Sequence, residues 1–143
     1  MILHFASREP TRNLWLGAIA ISLTAGAAAI GYAAGSSQPH VVFSHALSNA
    51  PGKTLTAVAV DYPPGAKSKP HRHAGVVFAY VLAGAVRSQV NDEAPRIYQA
   101  GESFFEDLND HHTISENASE TEPARLLAVL VADTGATLTT YDE

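Results

Sequence analysis

The chain has 143 residues, a formal net charge of −5 and a pI near 5.7, which suits one domain of ordinary size and argues against binding nucleic acid through phosphate contacts. No basic patch offsets that balance. Cysteine is absent, which excludes a disulfide framework, a thiolate metal site and a cysteine nucleophile, so any metal must be held by nitrogen or oxygen.

Arg8 and Arg12 stand against a single Glu9 near the start, and after Asn13 no Asp, Glu, Lys or Arg appears until Lys53. Between them Leu14 to Ala34 is an uncharged, apolar run, long enough for a helix of about 20 residues to span a bilayer. Its second half is rich in Ala and Gly, and Gly31, Ala33 and Gly35 are small residues of the kind found at signal-peptidase sites. Residues 1–35 therefore read as an N-terminal hydrophobic helix that serves either as a signal peptide or as an N-terminal membrane anchor. Either way the positive end stays inside and the rest of the chain is exported to the periplasm or another extracytoplasmic space, with membrane contact only through this segment. Arg8 and Arg12 are not adjacent, so there is no twin-arginine signal, and export in an unfolded state is expected.

Residues 36–53 read as a linker with a first short strand, Val41 to Phe43. Thr54 to Tyr62 is β-branched and apolar and is closed by Pro63-Pro64-Gly65. The segments Val76–Leu82, Ala85–Val90, Arg96–Gln99, Ser103–Phe105, His112–Ser115 and Ala124–Ala132 follow at short spacing with turn residues between them. Such a series predicts an all-β sandwich or closed barrel. Tyr141 to Glu143 reads as a frayed acidic terminus.

Seven histidines are present, and the pair His71 and His73 stands out because side chains two apart on a strand project from one face and can aim at one point. His4, His40 and His45 lie in the export segment, the linker and the first strand, where solvated or locally bonded roles are expected. His111 and His112 are adjacent, so on a strand only one of them can face the same site. Glu106 and Asp107 are carboxylates that precede the turn before them, candidates for a general base or for a partner that orients an imidazole. Arg87 and Gln89 alternate with Val86, Ser88 and Val90, and the local pattern does not say which set faces inward. Phe78, Tyr80, Phe104 and Phe105 are expected in the core or a pocket wall. Asn117-Ala118-Ser119 matches a glycosylation sequon.

Two stretches together resemble the paired motifs of the cupin superfamily: Gly65 to Gly84, containing His71 and His73, and Gly101 to Asn117, containing His112. The resemblance implies a double-stranded β-helix (jelly-roll) barrel over residues 54–143. It also implies a metal site at His71, His73 and His112, with Gly65, Gly84, Gly101 and Asn117 in structural roles. The family's usual glutamate ligand, four residues after the second histidine, is Val77 here, and no Asp or Glu lies between His73 and Gly84. The Pro and Gly of the second motif's turn are replaced by Asp107-Leu108-Asn109-Asp110, residue types that tolerate left-handed backbone.

Three neutral imidazoles leave the charge of a divalent ion (Fe, Mn, Ni, Zn or Cu) uncompensated, which favours an anionic, bidentate small-molecule substrate. The resemblance adds a dioxygenase-like oxidoreductase acting on a small oxygenated compound, and a homodimer; the candidate catalytic carboxylate, Glu106, comes from its position before the turn that leads to His112. The competing expectations are a non-catalytic metal- or small-ligand-binding barrel, a sensor or carrier, and a metal-free barrel of structural or isomerase type.

Overall fold

A computed structural model describes residues 35–143; the expected export segment through Ala34, with its helix and His4, lies outside the described residues. Among the described residues no helix is long and apolar enough to cross a membrane. The described residues form ten strands, β1 (Gln38–Ala46), β2 (Lys53–Tyr62), β3 (His71–His73), β4 (Gly75–Ala83), β5 (Ala85–Val90), β6 (Arg96–Gln99), β7 (Ser103–Glu106), β8 (His111–Asn117), β9 (Ala124–Asp133) and β10 (Thr139–Tyr141). They form two five-stranded sheets, β1-β2-β9-β4-β7 and β10-β3-β8-β5-β6, and every named strand pair is antiparallel. This is the all-β jelly roll expected from the spacing and the resemblance.

The strands hold because their apolar residues recur with period two. In β4, Val77, Ala79 and Val81 face inward while Phe78, Tyr80 and Leu82 face outward. In β9, Ala124, Leu126, Ala128, Leu130 and Ala132 form the inner row. Val60, Tyr62, Val81, Val86, Phe104 and Leu126 belong to one core cluster, and Val77 packs with Ala128 and Leu130 in another. Each large side chain so buried contributes about 1.5–3 kcal/mol. Close packing of backbone explains Gly75, where an added Cβ would lie 2.1 Å from the Val131 carbonyl oxygen. Asn109, at φ 68°, supplies the left-handed residue of the turn between β7 and β8, and Asp110 accepts from the Asp107 amide at 2.7 Å.

Three expectations are corrected. The strand candidate Val41–Phe43 is the middle of a longer edge strand, β1, which pairs with β2 from Gln38 opposite Asp61 to Ala46 opposite Thr54. The terminus is not frayed at Tyr141, because Thr139–Tyr141 adds to β3 in register and the Asp142 amide donates to the Pro70 carbonyl at 3.0 Å. Of the four aromatics expected inside, only Phe104 is buried; Phe78, Tyr80 and Phe105 lie on the outer face of their sheet. Strand alternation is the reason, since Phe104 and Phe105 are neighbours and must point to opposite faces.

Candidate metal centre

His71 and His73 stand on β3 with Arg72 between them turned outward, where its guanidinium donates to the Asn109 carbonyl at 2.7 Å. Their rings meet edge to face with centroids 4.8 Å apart. Across the sheet His71 is in register with His112 on β8, and those ring centroids are 5.0 Å apart. The donor atoms of the three imidazoles all lie within 4.8 Å of one another, so the three can hold a metal ion. His111 is on the opposite face, as alternation requires, and its Nε2 is 2.8 Å from Asp142 Oδ2. His40 and His45 are on exposed β1, away from the cluster.

Each imidazole is oriented by a partner on its outer nitrogen. His71 Nδ1 is 2.7 Å from the Lys69 carbonyl and His73 Nδ1 is 3.1 Å from the Leu138 carbonyl. A carbonyl only accepts, so both Nδ1 atoms carry the proton and both Nε2 atoms keep a lone pair for an ion. His112 Nε2 is 2.8 Å from Ser88 Oγ, a hydroxyl that can donate or accept. Its Nδ1 is 3.2 Å from Glu106 Oε1. Burial pushes His71 down from its ordinary value to about 4, against the opposing pull of the Lys69 carbonyl. Burial also lowers His73, although Glu106 works against it. Both rings are therefore neutral, the form that binds metals, at ordinary pH.

Glu106 sits at the end of β7 and is 2% exposed. Besides His112 it approaches His73, with Oε2 3.9 Å from Nε2. Among the described residues that buried oxygen has no hydrogen-bond partner, and no lysine or arginine pairs with the carboxylate. Burial alone would raise its pKa, but the hydrogen bond from His112 and the surrounding imidazoles hold it below the usual carboxylate range. An unsatisfied buried carboxylate oxygen beside three imidazoles fits a cation, which satisfies all four groups together.

The histidines and Glu106 line a cavity of about 70 Å3. Its floor is apolar, from Val58, Val60, Ala79, Leu126, Ala128 and Leu130, and hydroxyl residues Ser68, Ser115, Thr139 and Tyr141 also line it. Tyr141 lies over His71 with centroids 5.7 Å apart. Tyr62 Oη is 2.7 Å from Ser115 Oγ, and burial raises the Tyr62 pKa.

The remaining sequence candidates separate cleanly. Asp107 is exposed and forms the turn. Arg87 points outward and pairs with Glu116, which leaves Ser88 as the inward member of β5 beside His112. Val77 packs in the core. Asn117 is buried, with Nδ2 facing the carbonyls of Tyr62, Pro63 and Glu122 at 2.8–3.1 Å, so the sequon asparagine is a structural tie and not an accessible acceptor. Sequence reasoning missed Ser88, Thr139 and Tyr141. The alternation Thr137-Leu138-Thr139-Thr140-Tyr141 was the available signal for the last two.

A family model described as "Cupin domain" matches residues 58–130, which contain all three clustered histidines. The chain belongs to the cupin family. This cupin is similar in structure to a cupin-like protein from Thermotoga maritima, at 18% identity over 76% of this chain and 77% of that one, with a TM-score of 0.61. It is similar to the DMSP lyase DddQ from Ruegeria pomeroyi at 21% identity and a TM-score of 0.54, covering 61% of this chain and 42% of that one. Those two likenesses show the fold alone. A third is the oxalate decarboxylase of Bacillus subtilis, described with Mn(II) centres, at 26% identity over 61% of this chain and 23% of that one, TM-score 0.51. The cupin thus spans less than half the length of the lyase and about a quarter of the decarboxylase. No curated protein matches it significantly.

Proposed function

We propose that this cupin is an exported, metal-dependent oxidoreductase of the dioxygenase type that holds one divalent ion through His71, His73 and His112 and acts on a small oxygenated compound. The observation that carries the reading is the convergence of three outward-anchored imidazoles on a cavity with an apolar floor. When bound, the ion supplies Lewis-acid activation or, if it is iron, a centre for O2 chemistry. The chain's own residues do the rest. The floor excludes water from the substrate's apolar part, and the hydroxyls of Ser68, Ser115, Thr139 and Tyr141 orient its oxygen atoms.

Two features narrow the substrate. A cavity of about 70 Å3 is a few times the roughly 10–15 Å3 that one water needs, so the ligand is small. Among the described residues no lysine or arginine lines it, so a dianion would lack a side-chain counter-charge, and a neutral compound or a monoanion such as an enolate fits better. Manganese is the first ion to try, because the similar oxalate decarboxylase holds Mn(II) centres. The uncharged run Leu14–Ala34 supports export, and subcellular fractionation tests it.

A second reading, a metal- or ligand-binding barrel without turnover, is favoured by the apolar Val77 at the family's carboxylate position. Elemental analysis of protein purified without a metal-binding tag, beside a His73→Ala/His112→Ala variant, tests the site. Near-stoichiometric metal lost in the variant supports it, and O2 consumption with small enols and catechols then separates enzyme from binder. Absence of metal, with no uptake of added Fe, Mn, Ni, Zn or Cu, overturns both metal readings.

A further inference from the structure

We infer that Glu106 is the fourth ligand of the centre, a carboxylate delivered from β7 in place of the one that β4 lacks. The inference rests on the proposed metal site and deepens it. Val77 and Glu106 are directly paired across β4 and β7, and paired residues in an antiparallel ladder put their side chains on the same face of the sheet. The apolar side chain and the carboxylate both point inward, one strand apart.

The alternative role for Glu106 is that of an orienting partner, which binds the imidazole nitrogen turned away from the ion. Those nitrogens are already occupied. Leu138 holds His73 Nδ1 at 3.1 Å and Ser88 holds His112 Nε2 at 2.8 Å. Glu106 instead faces the remaining nitrogen of each ring, at 3.9 Å from His73 Nε2 and 3.2 Å from His112 Nδ1. A carboxylate on the metal-facing side of two ligands is placed to ligate. Its Oε2 is buried without a hydrogen-bond partner among the described residues, and a divalent cation satisfies that oxygen as the two imidazoles cannot. Three neutral imidazoles and one carboxylate carry a charge of −1, so a bound divalent ion leaves +1, which a single monoanionic substrate neutralises.

The test is titration of Co2+ into metal-free protein, following affinity and the visible absorption of the bound ion, whose bands report its ligand set. Glu106→Gln keeps the shape and removes the charge. The expected result is affinity weakened by at least about tenfold, since even groups behind the ligands account for about 10–100-fold, together with a changed spectrum. The double variant Val77→Glu/Glu106→Val returns one carboxylate to the pocket from β4 and is expected to recover tight binding; it carries the test should Glu106→Gln not fold. Parent-like affinity and spectrum in Glu106→Gln, or no recovery in a folded double variant, overturns the inference while leaving the metal site intact. Absence of Co2+ binding by the parent overturns the metal site and the inference with it.

Discussion

Ser88 Oγ lies 2.8 Å from His112 Nε2, and this contact joins β5 to β8 behind the candidate metal centre. Both residues are almost fully buried, at 3% and 2% exposed. The hydroxyl decides which nitrogen of His112 is turned toward His71 and His73, because the nitrogen it holds cannot also face the cavity.

Replacing Ser88 with Ala therefore acts on the metal more than on the fold. A buried imidazole nitrogen left without its partner costs about 1–3 kcal/mol, and loss of an orienting partner weakens metal binding by about 10–100-fold. Denaturant unfolding of the metal-free protein and competition with a chelator measure the two effects. Unchanged metal affinity would show that packing against Phe104, whose ring centroid is 5.7 Å from that of His112, suffices to hold the ring.

Acid destabilises the metal-free protein, starting near neutrality. The folded pKa of His71 is lowered to about 4 and that of His73 is lowered too, with burial the main cause of both. Unfolded histidine titrates near 6.5, so between that value and about 4 the unfolded chain binds more protons and stability falls as pH falls. Glu106, also lowered, extends the loss below its ordinary range. Urea midpoints are expected to hold steady above about pH 7 and to drop continuously toward pH 5. A flat profile would mean that the rings are solvated.

Removal of residues 139–143 deletes β10, the Tyr141 ring over His71 and the Thr139 hydroxyl 3.2 Å from His73 Nδ1, and turns the Leu138 carbonyl that orients His73 into a terminal carboxylate. β3 then becomes an edge strand of three residues, paired with β8 only at His71 and Arg72. The truncated protein is expected to stay folded, with Tm lowered by roughly 4–8 °C per kcal/mol lost, and to hold metal more weakly. Hydrogen exchange at the His71–His73 amides reads the local opening directly.

Asn117→Ala is expected to cost about 1–3 kcal/mol, because it leaves the buried carbonyl of Tyr62 and the partly buried ones of Pro63 and Glu122 without their shared donor. The parent, expressed in a glycosylating host, is expected to carry no glycan at this position. Mass spectrometry decides the second point and thermal unfolding the first.

Much of the site was legible because its signals are local. His71 and His73 share a face through the two-residue period of one strand, and the adjacency of His111 and His112 allows only one of them to join. Ala85–Val90 and Arg96–Gln99 are strands at the bounds their composition indicates. The edge strand β1 and the terminal strand β10 were harder to see, since each is held by a partner distant in sequence or by few residues.

By itself the sequence determined the all-β series, the histidine spacing and the gap left by Val77, because composition, period and motif spacing are properties of neighbouring residues. Only the tertiary structure decided that Glu106 and not Asp107 faces the cavity, that Ser88 and not Arg87 or Gln89 stands behind His112, and that Tyr141 covers His71. The physical reason is the same in all three cases. A shift of one residue in strand pairing turns every side chain to the other face, and the pairings of β4 with β7, β5 with β8 and β3 with β10 join segments that no local pattern connects.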